Sequence, residues 1–133
     1  MEKHSTIFVA GHKGLVGSAI VRKLKEQGYT NIITRNRQQC DLTNPIQVKA
    51  LFEENKIDYV FDAAAKVGGI KANDTYSAEF IFQNTMIQTN LIHYAYKYFV
   101  KKFCFLGSVC ICLLYTSDAA DEGLGVDLGG RRI

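Results

Sequence analysis

Long hydrophobic runs are missing from this sequence of 133 residues, whose length suggests one domain. A membrane-spanning helix needs about 20 consecutive apolar residues, and no stretch of the chain approaches that length. The first segment, MEKHSTIFVAGHKG, holds an apolar run far too short for a secretory signal. We therefore expect no membrane partner, and the composition, 47% apolar and 22% charged, is that of an ordinary globular protein.

A strong charge of one sign is missing too. The formal net charge is +3, and the lysines and arginines are scattered along the chain rather than clustered. A nucleic-acid-binding protein usually concentrates its cations on one face. We therefore expect no nucleic-acid partner.

Cysteine is sparse, and its spacing does not indicate a metal site. Cys40, Cys104, Cys110 and Cys112 form no C-x-x-C pair, and no histidine lies near the last three. Without a secretory context an even cysteine count indicates reduced thiols rather than disulfides. We expect no bound metal and a cytoplasmic location.

What the sequence does contain is an alternation of short apolar strands and amphipathic helices. This alternation predicts βαβ units and an α/β fold, a doubly wound, Rossmann-like parallel sheet that is incomplete at its C-terminal side. Ligands of such sheets bind at the carboxyl ends of the strands. The predicted strands are residues 6–11, 31–35, 58–65 and 102–108, and the predicted helices are 14–28, 44–56 and 74–99, with Asn44 as a cap and Gly28 as a stop.

The segment GHKGLVG places glycines at positions 11, 14 and 17, directly after a strand and at the start of a helix. Gly11 would permit the tight turn, Gly14 the approach of a pyrophosphate to the backbone, and Gly17 close packing of the helix on the sheet. Glycines alone are weak evidence, but in this strand–turn–helix context they indicate a dinucleotide site. A P-loop is excluded because Ser18 follows Gly17 where lysine is required.

The end of the second strand bears on cofactor choice. An NAD site usually has an acidic residue there, whereas this chain has TRNR, with Arg35 and Arg37, and Lys13 in the glycine turn. These cations suit the 2′-phosphate of NADP, so NADP (as NADPH) is the expected cofactor. The alternative is that both arginines are solvated loop charges.

The long helix has apolar residues on two sides. Phe82 and Met86 lie nearly opposite the main apolar stripe, which runs through Phe80, Ile87, Leu91, Ala95 and Tyr98. A second apolar side indicates a partner subunit, and the alternative is apolar residues tolerated by solvent. We expect a homodimer formed through residues 74–99.

Three segments carry a family resemblance: IFVAGHKGLVGSAIVRKL, AAAKVGGIKANDTYSAEFIFQNTMIQTNLIHYA and KKFCFLGSVCI. Together they cover most of residues 6–111 and closely resemble the GDP-L-fucose synthase family. These are bifunctional GDP-4-keto-6-deoxy-D-mannose 3,5-epimerase/4-reductases of the extended short-chain dehydrogenase/reductase superfamily. The resemblance implies NADPH, a GDP-linked 4-keto-6-deoxy sugar as substrate, and a dimer built partly on the long helix.

The resemblance also implies roles for individual residues. Ser108 would hydrogen-bond the keto oxygen of the sugar, and Cys110 would be the acid/base thiol of the epimerisation. Arg37 would lie near the 2′-phosphate, Asp41 and Leu42 beside the adenine, and Leu106 and Gly107 under the nicotinamide. The predicted cofactor-binding residues of the turn are Gly11, His12, Lys13, Gly14, Leu15, Val16 and Gly17, with Lys13 where the family usually has arginine.

The resemblance stops near residue 112. The family places a Tyr-x-x-x-Lys pair on a later helix, and we expect no such pair here, because Tyr115 has no lysine four positions on. We therefore expect residues 1–112 to be a truncated NADP-binding domain and residues 113–133 a disordered tail of unrelated sequence, either a false continuation or a natural flexible tail.

Two classes of function follow from this division. The first is the cofactor-binding part of the GDP-sugar epimerase/reductase, inactive as this chain alone. The alternatives are a dinucleotide-binding module without catalysis, or a related nucleotide-sugar epimerase or dehydratase. Ser108 and Cys110 favour the first, because a binding module needs no acid/base thiol.

Overall fold

The computed structural model describes residues 1–107, so Ser108, Cys110 and the predicted tail at 113–133 lie outside the described residues. Eight regular elements follow one another along the described chain. They are β1 (Ile7–Ala10), α1 (Leu15–Glu26), β2 (Ile32–Ile33), α2 (Pro45–Glu54), β3 (Tyr59–Asp62), α3 (Ile70–Thr75), α4 (Ser77–Lys97) and β4 (Lys102–Phe105).

The four strands form one parallel sheet in the order β2-β1-β3-β4. Ala10, Asp62 and Phe105 are in register across β1, β3 and β4, so the carboxyl ends of these strands meet at one edge. The chain moves outward from β1 to β2 and then crosses back to β3 on the other side of β1. This reversal opens a crevice at the carboxyl ends of β1 and β3, where ligands of such sheets bind.

Helices cover both faces of the sheet, as the sequence predicts for a doubly wound fold. On one face Phe8, Ala10 and Val60 pack with residues of α2 and α4, including Leu91 and Ala95. Strand residues alternate between the faces.

On the other face Ile7 and Val9 pack against Leu24 of α1. Within residues 1–107, α1 is the one helix that packs on this second face. No helix of the described part of the chain is long and apolar enough to cross a membrane.

The predicted helix boundaries have the expected local chemistry. The Asn44 side chain accepts hydrogen bonds from the backbone N–H groups of Ile46 and Gln47, and Pro45 occupies the first helical position of α2. Gly28 follows α1 with φ of +80°, a left-handed conformation in which glycine carries no steric penalty.

Several predicted elements differ in their bounds from the structure; the strand predicted over 58–65, for example, is limited to Tyr59–Asp62. The second strand keeps only Ile32 and Ile33 in the ladder, because within residues 1–107 β2 pairs with β1 alone and the following TRNR segment is polar. The helix predicted over 74–99 begins at Ser77 as α4, and a separate helix, α3, precedes it, since Tyr76 leaves helical geometry at φ −120° and ψ 33° between the two.

Candidate functional site

A cavity of about 800 Å³ lies at the carboxyl-end edge of the sheet, centred on the turn after β1. Three loops, the first turn of α1 and helix α4 enclose it. Its lining residues are 11–16 after β1, 35–38 and 40–43 after β2, 63–67 after β3, and Gln83 and Ile87 of α4. The cavity therefore occupies the crevice that the strand order creates.

The glycine turn brings three backbone segments into contact. Gly11 has φ of +71°, and a Cβ built on it would lie 2.3 Å from the carbonyl oxygen of Ala63. A Cβ on Gly17 would lie 2.2 Å from the carbonyl oxygen of Gly11. Both distances are far below van der Waals contact, so any larger residue at either position would push these segments apart.

The amino end of α1 faces the cavity without a side-chain cap. Gly14 is the N-cap residue and, as a glycine, has no side chain that could accept a hydrogen bond, and the first turn contains no acidic residue. The first N–H groups of a helix have no partner within the helix, and the helix dipole gives this end a partial positive charge. This end of α1 is therefore suited to a phosphate group.

Cations outnumber acidic groups around the cavity. Among residues 1–107, Lys13, Arg35, Arg37 and Lys66 line it, against the one carboxylate of Asp41. Arg37 is largely exposed, and its Nε lies 3.4 Å from Asp41 Oδ2. An ion pair this exposed contributes little to stability, so Arg37 is available to an anion of higher charge.

Asp41 is fixed by a local hydrogen-bond network. Its Oδ1 accepts from the N–H and the hydroxyl of Thr43 at 3.0 and 2.7 Å. Partial burial acts to raise the pKa of Asp41, but the hydrogen bonds from Thr43 and the charge of Arg37 outweigh it and lower that pKa. Asp41 is therefore a carboxylate at neutral pH and holds both Thr43 and Arg37 in place.

The carboxyl group of Asp62 is buried at the same edge of the sheet. Asp62 is the last residue of β3 and is 2% exposed. Its Oδ1 accepts from the N–H of Ala64 at 3.1 Å, whereas Oδ2 has no hydrogen-bond partner among residues 1–107. Burial raises the pKa of Asp62 to about 6, against which the bond from Ala64 acts only in part.

The structure brings most of the predicted cofactor-binding residues together. Those that line the cavity are Gly11, His12, Lys13, Gly14, Leu15, Val16, Arg37, Asp41 and Leu42. Gly17 lies behind the turn, where it packs on Gly11. Leu106 and Gly107 follow β4 at the same edge of the sheet but do not line the cavity, and their cofactor role stays a prediction.

One Tyr-x-x-x-Lys spacing is present in the chain, at Tyr98 and Lys102, so the expectation that none occurs is wrong as a statement about spacing. Lys102 pairs in register with Tyr59 at the amino ends of β4 and β3, opposite the cavity. The Tyr98 hydroxyl donates to Glu53 at 2.8 Å. Burial and this bond raise the pKa of Tyr98 to about 12, whereas the catalytic pair requires a lowered one.

Several lining residues were not predicted individually. The loop at 63–67 belongs to the AAAKVGG segment, which marked a strand end but was assigned no contact. Asp62 was read as part of an apolar strand. An aspartate at the end of the run YVFD is the signal that could have identified it, because a buried strand rarely contains an acid.

A parallel sheet with a glycine turn, an uncapped helix and a cationic cavity defines a dinucleotide-binding α/β protein. A family model agrees: residues 7–120 match the NAD dependent epimerase/dehydratase family, described as "Epimerase". The chain belongs to this family.

Curated relatives make the resemblance more particular. The chain is 58% identical over 110 residues to GDP-L-fucose synthase 1 of Arabidopsis thaliana, covering 83% of this chain and 34% of that protein. It is 50% identical over 105 residues to GDP-L-fucose synthase of Escherichia coli (strain K12), covering 79% of this chain and 33% of that protein. The predicted resemblance is confirmed, and the chain spans about a third of the length of these relatives.

Solved structures confirm the Rossmann-like fold. The chain matches MlghC, a GDP-mannoheptose C4 reductase from Campylobacter jejuni with NADP bound, with a TM-score of 0.79, 42% identity, and coverage of 82% of this chain and 34% of that one. It matches a GDP-L-fucose synthetase from Naegleria fowleri bound to NADP with a TM-score of 0.74 and 26% identity, covering 84% of this chain and 36% of that one.

The buried carboxyl group of Asp62 predicts an unusual pH dependence of stability. Unfolding returns its pKa from about 6 to 3.8, so between these values the unfolded state binds fewer protons than the folded state. The contribution of the neutral Asp62 carboxyl to the free energy of unfolding is fully present below pH 4. It is lost as the pH rises to about 6, and the loss is on the order of 3 kcal/mol. Urea unfolding of the wild type and of Asp62→Asn across pH 4–7 should show this loss only in the wild type.

Asp58 offers a matched control with the opposite sign. Hydrogen bonds from Lys101 and from the Thr6 N–H lower the pKa of Asp58, so it contributes stability that is lost as the pH falls. Asp58→Asn should therefore leave the change between pH 4 and 6 intact. An equal slope in the wild type and Asp62→Asn would contradict the assignment of this effect to Asp62.

Proposed function

We propose that this chain is the NADPH-binding part of a GDP-4-keto-6-deoxy-mannose 3,5-epimerase/4-reductase, an enzyme of GDP-L-fucose synthesis. The observation that carries the proposal is the cationic cavity at the end of β1, closed by the glycine turn and the loop after β3. Its relatives named GDP-L-fucose synthase and its NADP-bound structural neighbours support the choice of substrate and cofactor.

The residues present fit a phosphorylated dinucleotide. Gly14 has no Cβ and opens α1, so backbone N–H groups can approach a pyrophosphate closely. Arg35 and Arg37 follow β2, where an acidic residue would favour NAD, and both face the cavity. NADPH supplies a hydride when bound, and these residues hold and orient it.

The roles proposed for Ser108 and Cys110 rest on the resemblance alone. Ser108 would position the keto oxygen, and Cys110 would move the proton next to the carbonyl. The free thiols of Cys40 and Cys104 are consistent with the reducing cytoplasm that we propose as the location. The division into a domain at 1–112 and a tail at 113–133 is likewise a proposal.

Arg37 provides the direct test of the cofactor. A charge-assisted hydrogen bond contributes about 1.5–3 kcal/mol, so Arg37→Ala should raise the Kd for NADPH about tenfold to a hundredfold. The Kd for NADH, which lacks the 2′-phosphate, should stay within about twofold. Titration of cofactor fluorescence measures both constants.

Arg22→Ala is the matched control, because Arg22 is exposed on α1 and does not line the cavity. It changes the net charge equally and should alter neither Kd. Equal weakening of NADPH and NADH by Arg37→Ala would refute the assignment of Arg37 to the 2′-phosphate. A wild-type chain that binds neither cofactor would refute the proposed function.

A dinucleotide-binding module without catalysis is the second candidate. The position of Tyr98 and Lys102 at the amino ends of the strands favours it, because within residues 1–107 no tyrosine and lysine at this spacing reach the cavity. With a GDP-linked 4-keto-6-deoxy sugar and NADPH, we expect this chain to show no loss of absorbance at 340 nm. Sustained NADPH consumption would contradict the expectation that the chain is inactive alone.

We also propose that the chain forms a homodimer through α4. An apolar groove of about 480 Å³ runs along this helix, lined by Ala78, Ile81, Phe82, Thr85 and Met86. Phe82 is 63% exposed within the isolated chain. An exposed apolar patch of this kind commonly marks an interface, and a second copy would cover it.

Phe82→Glu tests the dimer, because a buried, unpaired carboxylate strongly opposes association. Sedimentation velocity should show a dimer for the wild type and a monomer for this variant. Tyr96→Glu is the matched control, since Tyr96 is exposed on α4 but lies outside the groove. A monomeric wild type at high protein concentration would favour the alternative that solvent tolerates these apolar residues.

A further inference from the structure

Two asparagines on α4 hold the backbone of two different walls of the cavity. Asn84 accepts from the N–H of Lys66 at 2.6 Å and donates to the carbonyl oxygen of the same residue at 3.0 Å. Asn90 donates to the carbonyl oxygen of Leu42 at 2.9 Å. Lys66 belongs to the loop after β3 and Leu42 to the segment after β2, so the two walls lie on either side of the glycine turn.

The Lys66 loop depends on Asn84 for its backbone contacts. Asp62 fixes the start of the loop through the N–H of Ala64. Further along, within residues 1–107, the backbone N–H and the backbone carbonyl of Lys66 both form their hydrogen bonds with the Asn84 side chain. The Lys66 ammonium pairs with Glu79, so the loop rests on the first half of α4 through backbone and side chain.

The Leu42 segment is tied to the second half of the same helix. Asn90 is buried on α4 beside Leu91, and within residues 1–107 the carbonyl oxygen of Leu42 is the acceptor for its side-chain N–H group. The neighbouring N–H of Asp41 donates to Gln47 at 2.7 Å. The wall after β2 is thus held from both α2 and α4.

The hydrogen bonds of Asn84 and Asn90 hold the backbone of the two cavity walls, and neither bond is made to a ligand. A loop that is already fixed loses less conformational entropy when a ligand binds, so fixed walls raise affinity without making a new contact. We propose that Asn84 and Asn90 are positioning residues for the dinucleotide, each acting through its own wall. This inference rests on the proposed function, in which the adenine lies beside Asp41 and Leu42.

Two ligands distinguish the effects of the two walls on binding. In the proposed function NADPH would contact both walls, whereas adenosine 2′,5′-diphosphate represents only its adenosine end. Asn84→Ala should raise the Kd for NADPH about tenfold, the factor expected from the loss of one or two net hydrogen bonds, and leave the Kd for the adenosine ligand within about twofold. Asn90→Ala should raise both constants, each by about tenfold.

Thr89→Ala is the control on the same helix, because Thr89 is exposed, lies between the two asparagines and does not line the cavity. It should change neither constant. Asn84→Asp keeps the acceptor for the Lys66 N–H but loses the donor, and its Kd for NADPH should lie between those of the wild type and Asn84→Ala. It also serves as the test if Asn84→Ala does not fold.

Hydrogen exchange without ligand tests positioning separately from binding. Asn84→Ala should speed amide exchange at residues 63–67, and Asn90→Ala at residues 40–43, with the strands unchanged. A wild-type chain that binds neither ligand would remove the proposed function, and local exchange changes would still support the positioning role. The proposal is overturned if both variants weaken both ligands in proportion to a fall in Tm, or if exchange at these loops is unchanged.

Discussion

Two backbone contacts that leave no room for a β-carbon determine the geometry of the whole edge where the cavity lies. Gly17 brings α1 onto the carbonyl of Gly11, and Gly11 brings the turn onto the carbonyl of Ala63 after β3. The first contact aims the amino end of α1 at the cavity, and the second sets the distance between the turn and the opposite wall. The electrostatics of the site depend on both, because a helix end attracts an anion only over short distances.

Helix α4 is the second constraint, and it acts on three parts of the protein at once. Leu91 and Ala95 pack into the core against the sheet, while Asn84 and Asn90 reach the loops that wall the cavity. Phe82 lies in a groove on the side left uncovered. Helix α4 therefore joins the core, the binding site and the surface proposed for a second copy. A shift of α4 would change the packing of all three.

The sequence predicts the fold well because apolar periodicity and turn chemistry agree at each element. Asn44 and Gly28 mark helix ends by mechanisms that need no tertiary context, and the glycine turn is recognisable from its neighbours. The break at Tyr76 is marked by neither proline nor glycine, the usual local signals of a helix end, so the apolar periodicity alone does not show it. The short β2 reflects its place in the strand order, which only the tertiary structure shows. The Asn84 and Asn90 attachments were missed for the same reason, since an asparagine inside a helix gives no sign of which distant backbone it will meet.

The charges of the site follow a consistent division between exposed and buried groups. Arg37 and Asp41 form an ion pair near solvent. Such a pair contributes little to stability, so a phosphate can still compete for the arginine. Asp62 lies deeper, and its hydrogen bond to the N–H of Ala64 fixes the start of the loop that Asn84 holds further on. Burial raises the pKa of Asp62 to about 6, above the ordinary range for an aspartate, so a fraction of the molecules carries a neutral Asp62 near pH 6. Ionisation of this buried carboxyl group therefore costs free energy, and the hydrogen bond from the N–H of Ala64 offsets only part of that cost.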